Sequence, residues 1–178
     1  MFFNKEKLCI QKKNLVFVGM MGSGKSSIGN LVSKQLGLSF VDIDSLIVEN
    51  TGMSISEIFA KKSEVYFRNL EEKITLKSLQ KIKNVISLGG GGFINIKARK
   101  EILTNHFSFW LSCDESILVK RIKVSKSRPL AFRATDQEIK LMIKGRSKIY
   151  KDAQFKINCN KLTKVEIAKK IIKIYERN

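Results

Sequence analysis

Residues 19–26, near the amino terminus, have the composition and spacing of a phosphate-binding loop. They read Gly-Met-Met-Gly-Ser-Gly-Lys-Ser and satisfy the pattern G-x-x-x-x-G-K-[ST] at every required position. Glycines allow the backbone to curl around an anion, and the side chain of Lys25 adds a full positive charge. The pattern predicts that a nucleoside triphosphate binds here, with the Ser26 hydroxyl available to Mg²⁺. The residues expected to hold it are Gly22, Ser23, Gly24, Lys25, Ser26 and Ser27.

The residues on both sides of this loop agree with that interpretation. The alternative is a chance match, since a glycine-rich turn can precede any helix. However, residues 15–18 form a short apolar segment of the kind found in buried strands, and apolar residues recur at helical spacing from Ile28 to Leu36. A strand that leads through the loop into a helix is the context in which the motif binds phosphate.

The rest of the chain alternates between strand-like and helix-like segments. Such alternation predicts an α/β fold with three layers, in which helices flank a five-stranded parallel sheet. We expect strands at 15–18, 39–43, 84–88, 107–111 and 155–159, and helices at 25–36, 44–50, 55–82 with a break near 62–63, 96–104, 114–124, 136–151 and 163–176. Ser54, Asp114, Thr135 and Thr163 are the expected helix caps. The chain, 1–178, is expected to form a single domain.

Polar and glycine-rich segments follow the second and third predicted strands. In open α/β sheets, ligands bind beyond the carboxyl ends of the strands. Asp42 and Asp44 follow the second strand, and their alternation predicts two carboxylates on one face of an extended segment. Four consecutive glycines, 89–92, follow the third strand and favour a close approach of a ligand to the backbone.

The polar segment 123–135 has the character of a mobile lid. It contains Pro129, the one proline of the chain. Proline biases the preceding residue, Arg128, toward an extended backbone from which its side chain can project. We therefore expect Arg128 to act from a segment that closes over the site.

Composition limits the classes to which the chain can belong. The formal net charge is +18, but the lysines are scattered, so we expect a solvated basic surface and no specific nucleic-acid partner. The three cysteines are widely spaced and suggest neither a disulfide framework nor a zinc site. No apolar stretch reaches the length of a membrane span, and the amino terminus does not match a signal peptide. The expected location is the cytoplasm, without a membrane partner.

Taken in their order along the chain, these motifs resemble the shikimate kinase family, whose members are small P-loop kinases. The resemblance extends from about residue 14 to the end of the chain. It implies transfer of the γ-phosphate of ATP to the 3-hydroxyl of shikimate, in the pathway to chorismate and the aromatic amino acids, with Mg²⁺ as cofactor and ADP as a product. It also implies a monomer, with a substrate-binding helical region at about 44–83.

The resemblance assigns roles to the acidic and glycine motifs. Asp42 would help to place magnesium, and Asp44 would receive hydroxyl groups of shikimate and position or deprotonate the attacking one. The family's triple glycine matches Gly89, Gly90 and Gly91, where bare backbone can approach the substrate ring. The catalytic residues implied in this way are Lys25, Asp44 and Arg128.

The family resemblance also assigns roles to four arginines. The F-R-x-x-E element of the family matches residues 67–71, which makes Arg68 the clamp on the substrate carboxylate. Arg146 matches a second arginine that binds the carboxylate. The arginine of an R-P-L element matches Arg128 and would reach the transferring phosphate, and Arg121 would be a platform for adenine.

Several alternatives remain open from the sequence. Arg68 and Glu71 could form a surface ion pair, Asp44 could cap the next helix, and Arg121 could be solvated. Another small-metabolite kinase, for example one acting on gluconate or on a nucleoside monophosphate, is a rival within the same class. A basic P-loop protein that binds nucleic acid and uses nucleotide only as a regulator is the rival from a different class.

Overall fold

A computed structural model describes residues 14–124 and 134–178. The strands are β1 (Leu15–Val18), β2 (Ser39–Asp42), β3 (Asn84–Ser87), β4 (Phe107–Ser112) and β5 (Phe155–Asn158). The helices are α1 (Lys25–Leu36), α2 (Ile43–Thr51), α3 (Ile55–Lys61), α4 (Glu64–Leu79), α5 (Ile96–Asn105), α6 (Glu115–Val124), α7 (Asp136–Tyr150) and α8 (Lys164–Tyr175), with a 3₁₀ turn at Gly92–Ile94.

The five strands form one parallel sheet in the order β2-β3-β1-β4-β5. Its register pairs Val16 with Ile86 of β3 and with Ser108 of β4, which places β1 at the centre. All carboxyl ends therefore lie at one edge, and the loop after β1 is flanked by the segments that follow β3 and β4. The predicted α/β fold with a five-stranded parallel sheet is confirmed.

Both faces of the sheet are covered by apolar clusters. Along β1, Val16 and Val18 belong to the cluster on one face, and Leu15 and Phe17 belong to the cluster on the other. All four side chains are buried, because helices pack on both faces. This explains why the segment is apolar throughout instead of alternating with polar residues.

Helix boundaries follow capping chemistry that is visible in the sequence. The predicted caps Ser54, Thr135 and Thr163 are confirmed, and each forms a reciprocal capping box with a glutamate three residues later. The predicted break near 62–63 is also confirmed, since Ser63 caps a new helix there. Asp114 precedes α6, and its carboxylate accepts a hydrogen bond from Asn160 at 2.6 Å.

The prediction for the segment after β2 was wrong in one respect. The strand expected at 39–43 ends at Asp42, whose side chain accepts a hydrogen bond from the backbone N–H of Ser45 and caps α2. Asp44 therefore lies in the first turn of a helix and is not part of an extended segment. The alternative in which Asp44 itself is the cap is also wrong, because Asp42 fills that position.

Within the two described ranges, no helix is long and apolar enough to cross a membrane. The predicted lid spans 123–135, and its residues 125–133, including Arg128, lie outside the described residues.

Candidate active site

The loop between β1 and α1 has the backbone of an anion-binding turn. Gly22 and Gly24 have φ angles of +80° and +94°, which residues with a side chain rarely adopt. The N–H of Ser23 donates to the carbonyl of Met20 at 3.2 Å, which tightens the loop. Helix α1 then begins at Lys25. The first amides of a helix have no partner within it and attract anions.

The side chain of Lys25 lies inside this loop. It is 6% exposed, and its Nζ donates to the carbonyls of Gly19 at 2.9 Å and Met20 at 3.0 Å. The ammonium group is thereby fixed beside the loop amides. The Ser23 hydroxyl is buried, and no hydrogen-bond partner for its Oγ is found among the described residues. An incoming phosphate would supply an acceptor for such a hydroxyl.

A cavity of about 510 Å³ opens beside the phosphate loop. Its polar wall combines acidic and basic side chains from four parts of the fold, and apolar residues of α2, α3, α4 and α7 complete it. Of the residues singled out in the sequence, it is lined by Ser26, Asp42, Asp44, Arg68, Gly90, Gly91 and Arg146. The structure therefore gathers the acidic pair, the arginines Arg68 and Arg146 and the loop serine around one space.

An ion pair on α4 forms part of this wall. Arg68 Nη1 donates to Glu71 Oε2 at 2.7 Å, and Arg68 Nη2 donates to Glu64 Oε1 at 3.1 Å. The Arg68 side chain is 33% exposed, whereas that of Glu71 is 5% exposed. The ion pair considered from the sequence is therefore present, but it is not a surface pair, because one partner is almost fully buried.

Burial and nearby charges shift the protonation of this pair. Burial raises the pKa of Glu71, Arg68 opposes that rise, and the nearby carboxylate of Asp44 adds to it. Burial lowers the pKa of Arg68, but Glu71 and Glu64 outweigh this effect, so the pKa of Arg68 is raised. Arg68 thus keeps its full positive charge while bordering the cavity.

The glycine run gives these charged side chains room. A β-carbon on Gly89 would lie 2.5 Å from Oε1 of Glu71 and 2.6 Å from Oδ1 of Asp44. One on Gly91 would collide with the guanidinium of Arg68. Gly90 and Gly91 line the cavity, whereas Gly89 lies behind its acidic wall. The run therefore makes room for the charged side chains of Asp44, Arg68 and Glu71.

Helix α7 contributes Arg146 and Tyr150. The Tyr150 hydroxyl donates to the carbonyl of Gly90 at 2.5 Å, and the ring is 1% exposed. Burial raises the pKa of Tyr150 to about 12, which keeps its proton on the hydroxyl. A β-carbon on Gly90 would lie 3.2 Å from Nη1 of Arg146. Tyr150 therefore fixes the glycine turn against which Arg146 is placed.

Arg121 lies on the other side of the phosphate loop. Its Nη1 donates to the carbonyl of Gly22 at 3.0 Å, so the side chain is tied to the loop. Arg121 is not among the residues that line the cavity.

Glu71 and Tyr150 were not among the site residues chosen from the sequence. Glu71 belongs to the F-R-x-x-E match, so the signal was present, but its burial was not visible. Tyr150 ends α7 only four residues after Arg146, and its bond to Gly90 crosses 60 positions of sequence.

A central strand followed by a phosphate loop, with a charged cavity beside it, defines a P-loop kinase that acts on a small acceptor. Comparison with known proteins narrows this class. The model of the shikimate kinase family matches residues 21–176. The chain is 40% identical over 166 residues to the shikimate kinase of Thermodesulfovibrio yellowstonii, an alignment that covers 93% of this chain and 96% of that protein.

Solved structures agree. The shikimate kinase of Acinetobacter baumannii in complex with shikimate superposes with a TM-score of 0.88 at 27% identity, covering 94% of this chain and 95% of that one. The shikimate kinase of Aquifex aeolicus gives a TM-score of 0.82 at 36% identity, covering 92% and 96%. The chain belongs to the shikimate kinase family and is an ATP-dependent kinase. This finding supports neither of the two rivals considered from the sequence, which were another small-metabolite kinase and a P-loop protein that binds nucleic acid.

Proposed function

We propose that the protein transfers the γ-phosphate of ATP to the 3-hydroxyl of shikimate, giving shikimate 3-phosphate and ADP. The observation that carries the proposal is the single cavity that gathers Asp44, Arg68 and Arg146 beside the phosphate loop. Paired guanidinium groups suit a carboxylate, and an aspartate suits hydroxyl groups. A hydroxylated carboxylic acid such as shikimate fits both requirements.

In this proposal the two arginines orient the acceptor. Arg68 keeps its charge next to Glu71, and Arg146 lies against the glycine turn fixed by Tyr150. Binding the carboxylate at these groups directs the opposite side of the ring toward Asp44. Asp44 then accepts a hydrogen bond from the attacking hydroxyl and positions or deprotonates it.

The phosphate side of the reaction needs alignment and positive charge. Lys25 would stabilise charge on the transferring phosphate, and the amides of Gly22, Ser23 and Gly24 would hold the other phosphates. Arg121, bound to the loop carbonyl of Gly22, is proposed to support the adenine.

Ser26 and Asp42 are the proposed magnesium site, and their chemistry fits that ion. Both line the cavity and present oxygen atoms, the donors that Mg²⁺ prefers. The bond from Ser45 N–H fixes the orientation of the Asp42 carboxylate. Mg²⁺ is usually held by one or two carboxylates together with substrate phosphates and water, so these two side chains can suffice. When bound, magnesium neutralises charge on the transferring phosphate.

Two further elements belong to the proposal. We place residues 1–178 in a single kinase domain, with acceptor-binding helices at about 44–83. We also propose that the lid at 123–135 brings Arg128 to the phosphate and excludes water, which would otherwise hydrolyse ATP.

A coupled assay of ADP release tests the proposal. ATP and Mg²⁺ are supplied with shikimate, gluconate, a nucleoside monophosphate or no acceptor. We expect ADP release that depends on shikimate. Equal rates with and without millimolar shikimate would contradict the proposal, and stimulation by another acceptor would favour the corresponding kinase.

A further inference from the structure

Two cysteines occupy equivalent positions at the ends of neighbouring strands. The last register pair of β4 and β5 is Ser112 with Asn158, and Cys113 and Cys159 directly follow it. The N–H of Cys159 donates to the carbonyl of Ser112 at 2.8 Å, so the pairing continues to this point. Neighbouring strands run about 4.8 Å apart, which is within the range of α-carbon separations that a disulfide spans.

The next residues along both segments hold these positions together. The N–H of Asp114 donates to Asn160 Oδ1 at 2.9 Å, and Asn160 Nδ2 donates back to Asp114 Oδ1 at 2.6 Å. This reciprocal pair joins the segment after β4 to the segment after β5. The two cysteines are therefore held in place on both sides.

The two thiols are neighbours, and that of Cys113 contacts the phosphate loop. With both thiols protonated, Cys113 Sγ donates to the carbonyl of Ser23 at 3.7 Å and Cys159 Sγ donates to the carbonyl of Ile157 at 3.4 Å. When Cys113 loses its proton, the thiol of Cys159 is close enough to donate to it instead. Both residues are partly exposed, so a small oxidant can reach them. The phosphate loop is thus in direct contact with one of two neighbouring thiols, neither of which the phosphoryl transfer uses.

The two thiols differ in pKa and therefore in reactivity. The hydrogen bond from Cys159 lowers the pKa of Cys113 to about 7, burial opposes this, and the charges of Arg121 and Lys25 contribute to the lowering. The pKa of Cys159 is raised by the same bond and by burial. Cys113 is therefore partly a thiolate near neutral pH, while Cys159 stays protonated.

We propose that Cys113 and Cys159 form an oxidisable dithiol, which a hydroperoxide converts to a disulfide that weakens nucleotide binding at the adjoining phosphate loop. The Cys113 thiolate attacks a peroxide oxygen and becomes a sulfenic acid, with release of water after protonation. The Cys159 sulfur then displaces a second water and closes the S–S bond. Overall, two thiols lose two electrons and two protons, and one hydrogen peroxide is reduced to two waters.

The link to the nucleotide site is the bond between Cys113 Sγ and the Ser23 carbonyl. Only a protonated Cys113 can donate this bond, and that form predominates below its pKa of about 7. A disulfide has no S–H proton, so oxidation removes the bond from these molecules. One neutral hydrogen bond corresponds to about a threefold to tenfold change in affinity. When binding is measured below the pKa of Cys113, we expect oxidation to decrease nucleotide affinity by that factor and a thiol reductant to restore it.

The test measures ADP binding by calorimetry, because this readout needs no acceptor. It rests only on the nucleotide-binding part of the proposed function, so it remains valid if the acceptor is not shikimate. The third cysteine, Cys9, is replaced by serine in every sample to exclude other pairings. Protein is treated with hydrogen peroxide, and peptide mapping without reductant identifies any Cys113–Cys159 cross-link.

Two variants serve as controls. Cys113→Ser keeps a hydroxyl donor toward Ser23, so its ADP affinity should stay within about twofold and should not respond to peroxide. Cys159→Ser removes the partner thiol, so Cys113 should oxidise past the sulfenic acid and should not recover fully with reductant. The proposal is overturned if no cross-linked peptide forms, or if the cross-link forms and ADP affinity does not change.

Discussion

The substitution Arg68→Ala removes the charge partner of a nearly buried carboxylate. Breaking one partner of a buried ion pair costs about 3–5 kcal/mol. Here Glu71 is 5% exposed, but Arg68 is 33% exposed and partly screened by solvent. We therefore expect the free energy of unfolding to fall by about 2–3 kcal/mol at neutral pH.

The size of this loss should depend on pH. The folded-state pKa of Glu71 is already raised, and without Arg68 to oppose burial it rises further. A carboxyl group with a raised folded-state pKa binds more protons when folded, so stability falls as the pH rises through that pKa. Most of the difference in unfolding free energy between variant and wild type therefore develops above the wild-type pKa of Glu71. Below the ordinary pKa of 4.5 the electrostatic part of the loss should disappear.

Urea unfolding of wild type and variant at about pH 4 and about pH 8 measures this difference. The double variant Arg68→Ala/Glu71→Gln has no titrating group at position 71, so its loss relative to Glu71→Gln should be nearly the same at both pH values. Arg177→Ala removes an equal charge from an exposed position and should change stability by less than about 0.5 kcal/mol. An equal loss for Arg68→Ala at both pH values would refute the reasoning.

The same variant should separate the two substrates. Hydrogen bonds to a charged group contribute about 1.5–3 kcal/mol each, so losing a bidentate contact should weaken shikimate binding by about a hundredfold or more. ATP binding should change by less than about threefold, because Arg68 does not contact the phosphate loop in the described structure. Equal losses of both affinities would exclude Arg68 as the clamp.

Three other substitutions test neighbouring parts of the site. Gly89→Ala would place a methyl group 2.5 Å from Glu71 Oε1 and 2.6 Å from Asp44 Oδ1. The value of kcat/KM for the acceptor should therefore fall by about tenfold or more. Unchanged kinetics would show that the crowding is relieved without effect. Gly145 lies in α7 with open space around its α-carbon. Gly145→Ala should therefore raise the free energy of unfolding by about 0.5–1 kcal/mol in a denaturant titration. A decrease in the free energy of unfolding would contradict this. Arg128→Ala should lower turnover by about 10³-fold or more with little change in ATP affinity. Unchanged turnover in steady-state kinetics would exclude Arg128 as a catalytic residue.

Most of the fold was predictable because its signals are local. The bounds of α1 agree with the sequence, since Gly24 and Gly37 flank a regular apolar repeat. The segment after β2 was harder to predict. Asp42 can continue a strand or cap a helix, and only its bond to Ser45 N–H decides between them. Alternation in the sequence does not distinguish these two uses of one aspartate.

The residue types of the site were also predictable, but their electrostatic environment was not. Glu71 is buried beside Gly89 and near Asp44, which belong to two other segments. The position of Gly90 is set by Tyr150, which is 60 residues away. Such effects depend on contacts between distant segments, and spacing within one segment carries no information about them.

Identification of the phosphorylated product tests the central claim most directly. Protein, ATP, Mg²⁺ and shikimate are incubated together, and the products are analysed by mass spectrometry and by phosphorus and proton NMR. We predict one new phosphate ester, on the 3-hydroxyl of shikimate, formed in equal amount to ADP. ADP without a phosphorylated shikimate, or an ester on another hydroxyl, would contradict the arrangement proposed for Asp44 and the two arginines.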